Sequence, residues 1–227
     1  MTDLKDPREA VLGRVRAKLG VRGDEPGRRG LVHSRLRTHA ANLIPERAQA
    51  PRAELARLLQ TMLEKHGAKT IRVRTLKGIS EAVAAALRDQ NLPSRIRVGE
   101  DAIFESLRAE PGVIEILSGP AQATDTVTLS HAFAGAAETG TLFLASGPDN
   151  PSTLNFLPEN HFVVVLVGDI AGSYEECWSK LRSAYGEGLM PRTVNLISGP
   201  SRTADIEQTI VMGAHGPKNL VVIIAGS

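Results

Sequence analysis

The sequence predicts an α/β protein with a mixed, largely parallel sheet, helices on both faces and an added N-terminal helical arm. Three observations carry this. From Pro51 onward, amphipathic helical segments alternate with short apolar runs, the pattern of strands joined by helical crossovers. Two of those runs, Phe162 to Val167 and Leu220 to Ala225, are apolar at every position, as strands buried on both faces are. A break rich in glycine, GVRGDEPGRRG at 20–30, separates a first helical segment from the remainder. The expected division is therefore an arm and linker over residues 1–50 and an α/β domain over residues 51–227.

Taken in order, Leu4, Val11, Leu12, Val15 and Leu19 recur at helical spacing, and Pro7 suits the first turn of a helix starting near Asp6. Residues 31–47 are expected to be extended or partly helical. Pro51 to His66 places Leu55, Leu58, Leu59, Met62 and Leu63 on one helical side, with Gly67 closing it. Strands are expected at 71–74, 95–98, 113–117 and 126–129, with helices at 79–90 and 100–109 between them. Thr139-Gly140 reads as a hairpin turn before the strand 142–145, glycine supplying the positive φ. Residues 146–160 form a long loop, which in a compact domain is often functional. A helix over 173–184 follows the strand at 162–167. The stretch 193–226 reads as strand, helix, strand, a parallel βαβ unit in which Thr203 or Asp205 caps the helix beside Glu207.

Composition narrows the function classes. Lys+Arg 27 against Asp+Glu 25 leaves a net charge of +2, too little to mark a nucleic-acid partner, and no aromatic residues interleave the arginines of 14–52 for base stacking. The one cysteine, Cys177, excludes an internal disulfide, a cysteine-built zinc site and a four-cysteine cluster within one chain. No iron–sulfur cluster is expected in this chain, no metal site is predicted, and the cofactor is left open. No apolar run reaches the length of a membrane span and the first residues do not form a signal peptide, so the expected location is the cytoplasm.

Two segments hold candidate chemistry. Ser198-Gly199-Pro200-Ser201 ends a strand, where ligands of open α/β sheets usually bind, and a helix start beside it would favour an anion. The alternative is a tight turn whose hydroxyl caps the helix. Glu138 stands among alanines and glycines. It is either a base or nucleophile in a pocket, or a carboxylate accepting backbone N–H groups in a turn. His161 and His215 are further candidates. His215 is expected at the sheet edge opposite Ser198, because an intervening helix would carry the chain back across the sheet. A shared pocket requires residues 141–145 to run antiparallel to 193–198.

These segments together resemble the lactate utilization protein C family, whose core is the LUD domain. The resemblance rests on Ala137-Glu138-Thr139-Gly140-Thr141, Leu157-Pro158-Glu159-Asn160-His161, Ser198-Gly199-Pro200-Ser201 with Thr203-Ala204-Asp205-Ile206-Glu207, and His215-Gly216-Pro217. Their order and spacing match the family over the C-terminal half. The resemblance implies a fold similar to the ribose-phosphate isomerase, CoA-transferase and formyltetrahydrofolate cyclo-ligase group. It also implies a part in oxidising L-lactate to pyruvate beside two iron–sulfur partner proteins. Glu138, as the catalytic residue that would orient or deprotonate a small anionic ligand, and Thr139, Gly140, Thr141, Ser198 to Ser201, Thr203 and Asp205, as its binding residues, are the implied site. Two other classes remain open: a free-standing isomerase or acyl transferase using Glu138, and a non-catalytic scaffold.

Overall fold

The computed structural model describes residues 6–109, 114–186, 188–206 and 209–226, with the backbone alone at 204–206 and 209–211. The chain divides into two units, Met1–Leu43 and Ile44–Ser227.

The smaller unit holds two helices. Helix α1, Pro7–Leu19, opens at Asp6, whose carboxylate accepts the Arg8 N–H at 3.0 Å, and closes at Gly20 with φ 63°. Helix α2, Pro26–Thr38, begins inside the stretch expected to be a connector. Pro26 occupies its first position, where a fixed φ is already helical and no N–H is needed. Val32 and Leu36 continue at helical spacing, so the glycines at 27 and 30 do not prevent the helix. Neither helix buries a residue.

The larger unit begins with a 3-10 turn, Glu46–Gln49, that buries Ala48. Six strands form one parallel sheet in the order β1-β12-β7-β4-β2-β3: β1 Lys69–Val73, β2 Arg95–Val98, β3 Glu115–Ser118, β4 Val127–His131, β7 Asn160–Leu166 and β12 Asn219–Ala225. A second sheet has the order β8-β5-β6-β9, from β5 Ala134–Ala136, β6 Thr141–Ala145, β8 Ile170–Ala171 and β9 Val194–Ile197. The helices are α3 Arg52–Lys65, α4 Gly78–Asp89, α5 Glu105–Ala109, α6 Thr153–Phe156 and α7 Tyr174–Tyr185.

Alternation along the central strands explains the layering. Phe162 and Val164 of β7, with Val221 and Ile223 of β12, pack against Val83 and Leu87 of α4 and Phe104. The intervening Val163, Val165, Val222 and Ile224 face the other way, onto Leu59 and Leu63 of α3 and Leu142 and Leu144 of β6. A third cluster sets Phe143 and the β5 alanines against Cys177 and Trp178 of α7. Burial there pushes the Cys177 thiol up to about 12, so it is inert as a nucleophile.

The expected βαβ unit over 193–226 is not what forms. Strand β9 belongs to the second sheet, running antiparallel to β6 with Leu142 opposite Ile197. The segment read as a helix is a hairpin of β10 Arg202–Ile206 and β11 Thr209–Met212, with Thr203 opposite Val211. β-branched residues are frequent in it (Thr203, Ile206, Thr209, Ile210, Val211), and they favour the extended chain over the helix. Thr203 is thus a strand residue rather than a helix cap. Asp205 has its backbone in β10, and Glu207 lies outside the described residues. The antiparallel course expected for 141–145 against 193–198 is observed.

Candidate functional site

Residues 137–140 turn the chain from β5 into β6. Gly140 has φ 67°, and a Cβ built there would lie 2.7 Å from Leu63 N. The turn therefore presses on the α3 backbone, and only glycine fits. This close seating holds Glu138 in a buried place. Its Oε1 accepts the Tyr174 N–H at 2.8 Å, one of the unpaired donors at the start of α7. Ser173 caps the same helix, accepting the Glu176 N–H at 3.2 Å. The Glu138 N–H donates to Gly172 O at 3.0 Å, and Arg47 Nε donates to the Glu138 carbonyl at 2.9 Å. Glu138 thus faces a helix N-terminus, but that of α7; among the described residues none follows Ser201, which leads into strand β10.

Four hydroxyls join this turn to the end of β9. Thr141 Oγ1 is 2.8 Å from Thr139 Oγ1, 2.7 Å from Tyr174 OH and 2.7 Å from Ser198 Oγ. A threonine hydroxyl donates once and accepts twice. Two of its three neighbours must therefore point their protons at Thr141.

Ser198 also borders a cleft of about 220 Å³ between the turn 198–201 and residues 215–217. Ser201 N–H donates to Pro217 O at 2.8 Å, Gly213 N–H to Ser201 O at 2.9 Å, and His215 N–H reaches Ser201 Oγ at 3.4 Å. His215 therefore lies beside Ser201, not at the opposite edge, because a hairpin returns the chain to its starting point whereas a helix would carry it away. Gly199 packs on α3's end, where a Cβ would meet His66 O at 2.9 Å.

The cleft's inner wall includes His161 and Leu220, each the second residue of a parallel central strand. It thus lies at the amino ends of β7 and β12, not beyond their carboxyl ends as the sequence suggested. The reason is that Ser198 to Ser201 end a strand of the second sheet.

His161 is fully buried, and burial lowers its imidazole to about 3, so at neutral pH it is uncharged. Its Nε2 is 3.0 Å from Ser130 Oγ, which donates to Asn155 Oδ1 at 3.1 Å. His161 Nδ1 and Asn155 Nδ2 are buried without a hydrogen-bond partner in the protein, and both residues line the cleft. Asn155, Ser130 and Tyr174 were not singled out from sequence. Asn155's place in the long loop 146–160, with its two further asparagines, was the available signal. Among the described residues no group of three or more His, Cys, Asp or Glu is placed to hold a metal ion, and no helix is long and apolar enough to cross a membrane.

Comparison with known proteins adds the following. The family model of the LUD domain matches residues 50–225. An uncharacterized protein of Neisseria meningitidis serogroup B is 45% identical over 98 residues, 41% of this chain and 40% of that one. Proteins named lactate utilization protein C are also similar. That of Shouchella clausii is 33% identical over 88 residues (39% of this chain, 38% of that one), and that of a Geobacillus strain 34% over 89 (39% and 37%). The matched stretch spans about two fifths of each curated relative's length. A solved structure of a DUF162 family protein from Deinococcus radiodurans superposes with a TM-score of 0.58 at 22% identity, covering 78% of this chain and 99% of that one. That likeness shows the fold.

Proposed function

The chain belongs to the LUD domain family, and from that premise we propose that it serves L-lactate utilization as a ligand-binding subunit beside iron–sulfur partner proteins. The similarity to proteins named lactate utilization protein C is the observation that carries this reading. The ligand site is the cleft between Ser198 to Ser201 and His215 to Pro217, and the Thr141 hydroxyl links it to the Glu138 turn. Any redox centre is supplied by partners or by a bound cofactor. Glu138 acts as a positioning residue: its carboxylate holds the start of α7, and with it Tyr174, whose hydroxyl meets Thr141. This engagement favours the accessory subunit over a free-standing transferase with Glu138 as nucleophile, because the nucleophile would have to leave the helix start to react.

A strain lacking this chain, grown on L-lactate or on glucose as sole carbon source, tests the proposal. Growth is expected to fail on lactate alone and to return when the gene is restored. Iron–sulfur proteins are expected to co-purify with the tagged chain from lactate-grown cells. Equal growth of the deletion strain on both carbon sources would overturn the assignment.

A further inference from the structure

Resting on the cleft as the ligand site, we infer that its inner wall recognises an alcohol hydroxyl through His161 and Asn155, and so selects a 2-hydroxy acid over the matching 2-oxo acid. The argument begins with proton counting around Ser130. Its hydroxyl has one proton and lies between His161 Nε2 at 3.0 Å and Asn155 Oδ1 at 3.1 Å. With that proton donated to Asn155, the hydroxyl oxygen accepts from His161 Nε2–H. The other ring nitrogen, Nδ1, is then a bare acceptor, and Asn155 Nδ2 is a donor. Rotating the Asn155 amide by half a turn reverses both roles. In either arrangement the two side chains are left with one unpaired donor and one unpaired acceptor.

Both atoms are buried and unpaired within the protein, in side chains that are 0% exposed and that border the cleft. Leaving such groups unpaired is costly. The apolar surroundings keep the imidazole uncharged at neutral pH, which preserves the one-donor, one-acceptor count.

A hydroxyl is the group that matches such a pair, donating its proton to the acceptor and accepting from the donor. A ketone oxygen only accepts, and leaves the wall's acceptor facing its lone pairs. Sites built to bond a hydroxyl reject the analogue lacking its proton for this reason. Phe156, Leu196 and Leu220 supply apolar walls for a short carbon chain. Gly216 keeps the mouth open, since a Cβ there would come within 3.6 Å of Ser201 and 3.8 Å of Phe156.

The test is calorimetric titration of the purified full chain with L-lactate and with pyruvate, alongside NMR of the ¹⁵N-histidine-labelled protein. L-lactate is expected to bind at least about tenfold more tightly than pyruvate, and to shift the His161 ring-nitrogen resonances. Asn155→Leu should bring the two affinities together. Gly216→Ala should weaken both acids while keeping their ratio. Equal affinities, tighter pyruvate, no binding of either acid, or a His161 signal unmoved by lactate would overturn the inference; equal affinities would assign the pair to a structural water. The NMR readout uses the unmodified chain, so it stands even if Asn155→Leu fails to fold. A lost preference with growth on lactate still dependent on the chain would strike only the hydroxyl recognition. A preserved preference with growth independent of it would strike only the cellular role.

Discussion

Thr141 Oγ1 and Ser198 Oγ lie 2.7 Å apart, joining the Glu138 turn to the cleft through a single hydroxyl pair. Thr141 is fully buried and also holds Thr139 and Tyr174. Thr141→Val keeps the shape and strands three hydroxyls, so it should cost about 1–3 kcal/mol. Ser198→Ala removes one partner of a group that keeps two others, and should cost less. Urea unfolding of both single variants and the double variant measures the coupling.

Glu138 serves the start of α7. Glu138→Ala leaves the Tyr174 N–H without its acceptor and should cost about 1–2 kcal/mol. Glu138→Gln keeps an oxygen for that N–H and loses only the charge facing the helix terminus, a change of less than about 1 kcal/mol. Thermal unfolding checks the ranking. If the growth defect on lactate follows stability across the two variants, Glu138 is a positioning residue.

His161 makes stability depend on pH. Its folded value of about 3 lies below the ordinary 6.5, so between those values the unfolded chain binds a proton that the folded chain does not. Stability therefore falls as pH drops through that window, by up to about 5 kcal/mol at 1.36 kcal/mol per unit. Asp101 and Asp125 work in the same direction at lower pH. Burial raises each carboxyl, but hydrogen bonds from His131 to Asp101 and from Arg97 to Asp125 lead the opposing effects that leave both lowered. Comparison with His161→Gln isolates the histidine. Urea midpoints at pH 7, 5 and 4 should fall more steeply in the native chain than in the variant.

Two glycines should respond oppositely to alanine. Gly140→Ala puts a methyl 2.7 Å from the α3 backbone at φ 67°, and should cost about 2–5 kcal/mol. Gly216→Ala meets only ordinary contacts, so its melting temperature should hold while the cleft narrows. Calorimetry of the two purified variants decides this.

The central sheet was legible because the runs Phe162 to Leu166 of β7 and Leu220 to Ala225 of β12 are unbroken apolar stretches, the pattern of strands covered on both faces. The Thr139-Gly140 turn was legible from its glycine, and the antiparallel course of β6 against β9 followed from asking how Glu138 reaches Ser198, though not that the two strands pair. The hairpin at 202–212 was misread because strand-favouring residues were weighed against a strong expectation of alternating helix and strand. That one error misplaced His215 and supplied, beside Ser201, a helix start for an anion that is absent among the described residues. Asn155 and Ser130 stayed hidden for a different reason. Their importance lies in which hydrogen bonds go unmade, and that is a property of three-dimensional neighbours.

Strand β12 sits between β1 and β7, pairing Val221 with Lys69 and with Phe162. The position next to edge strand β1 is thus filled by a strand about 150 residues further along the chain. In that sheet, among the described residues, β1 has no neighbour other than β12, so its backbone N–H and C=O groups find their ladder partners only once residues 219–225 are in place. Closing so large a loop carries an entropic penalty that nothing local offsets, and such distant pairing makes for slow folding. The docking of β1 onto the sheet is therefore tied to the last strand in chain order, and a change that weakens β12 loosens β1 with it.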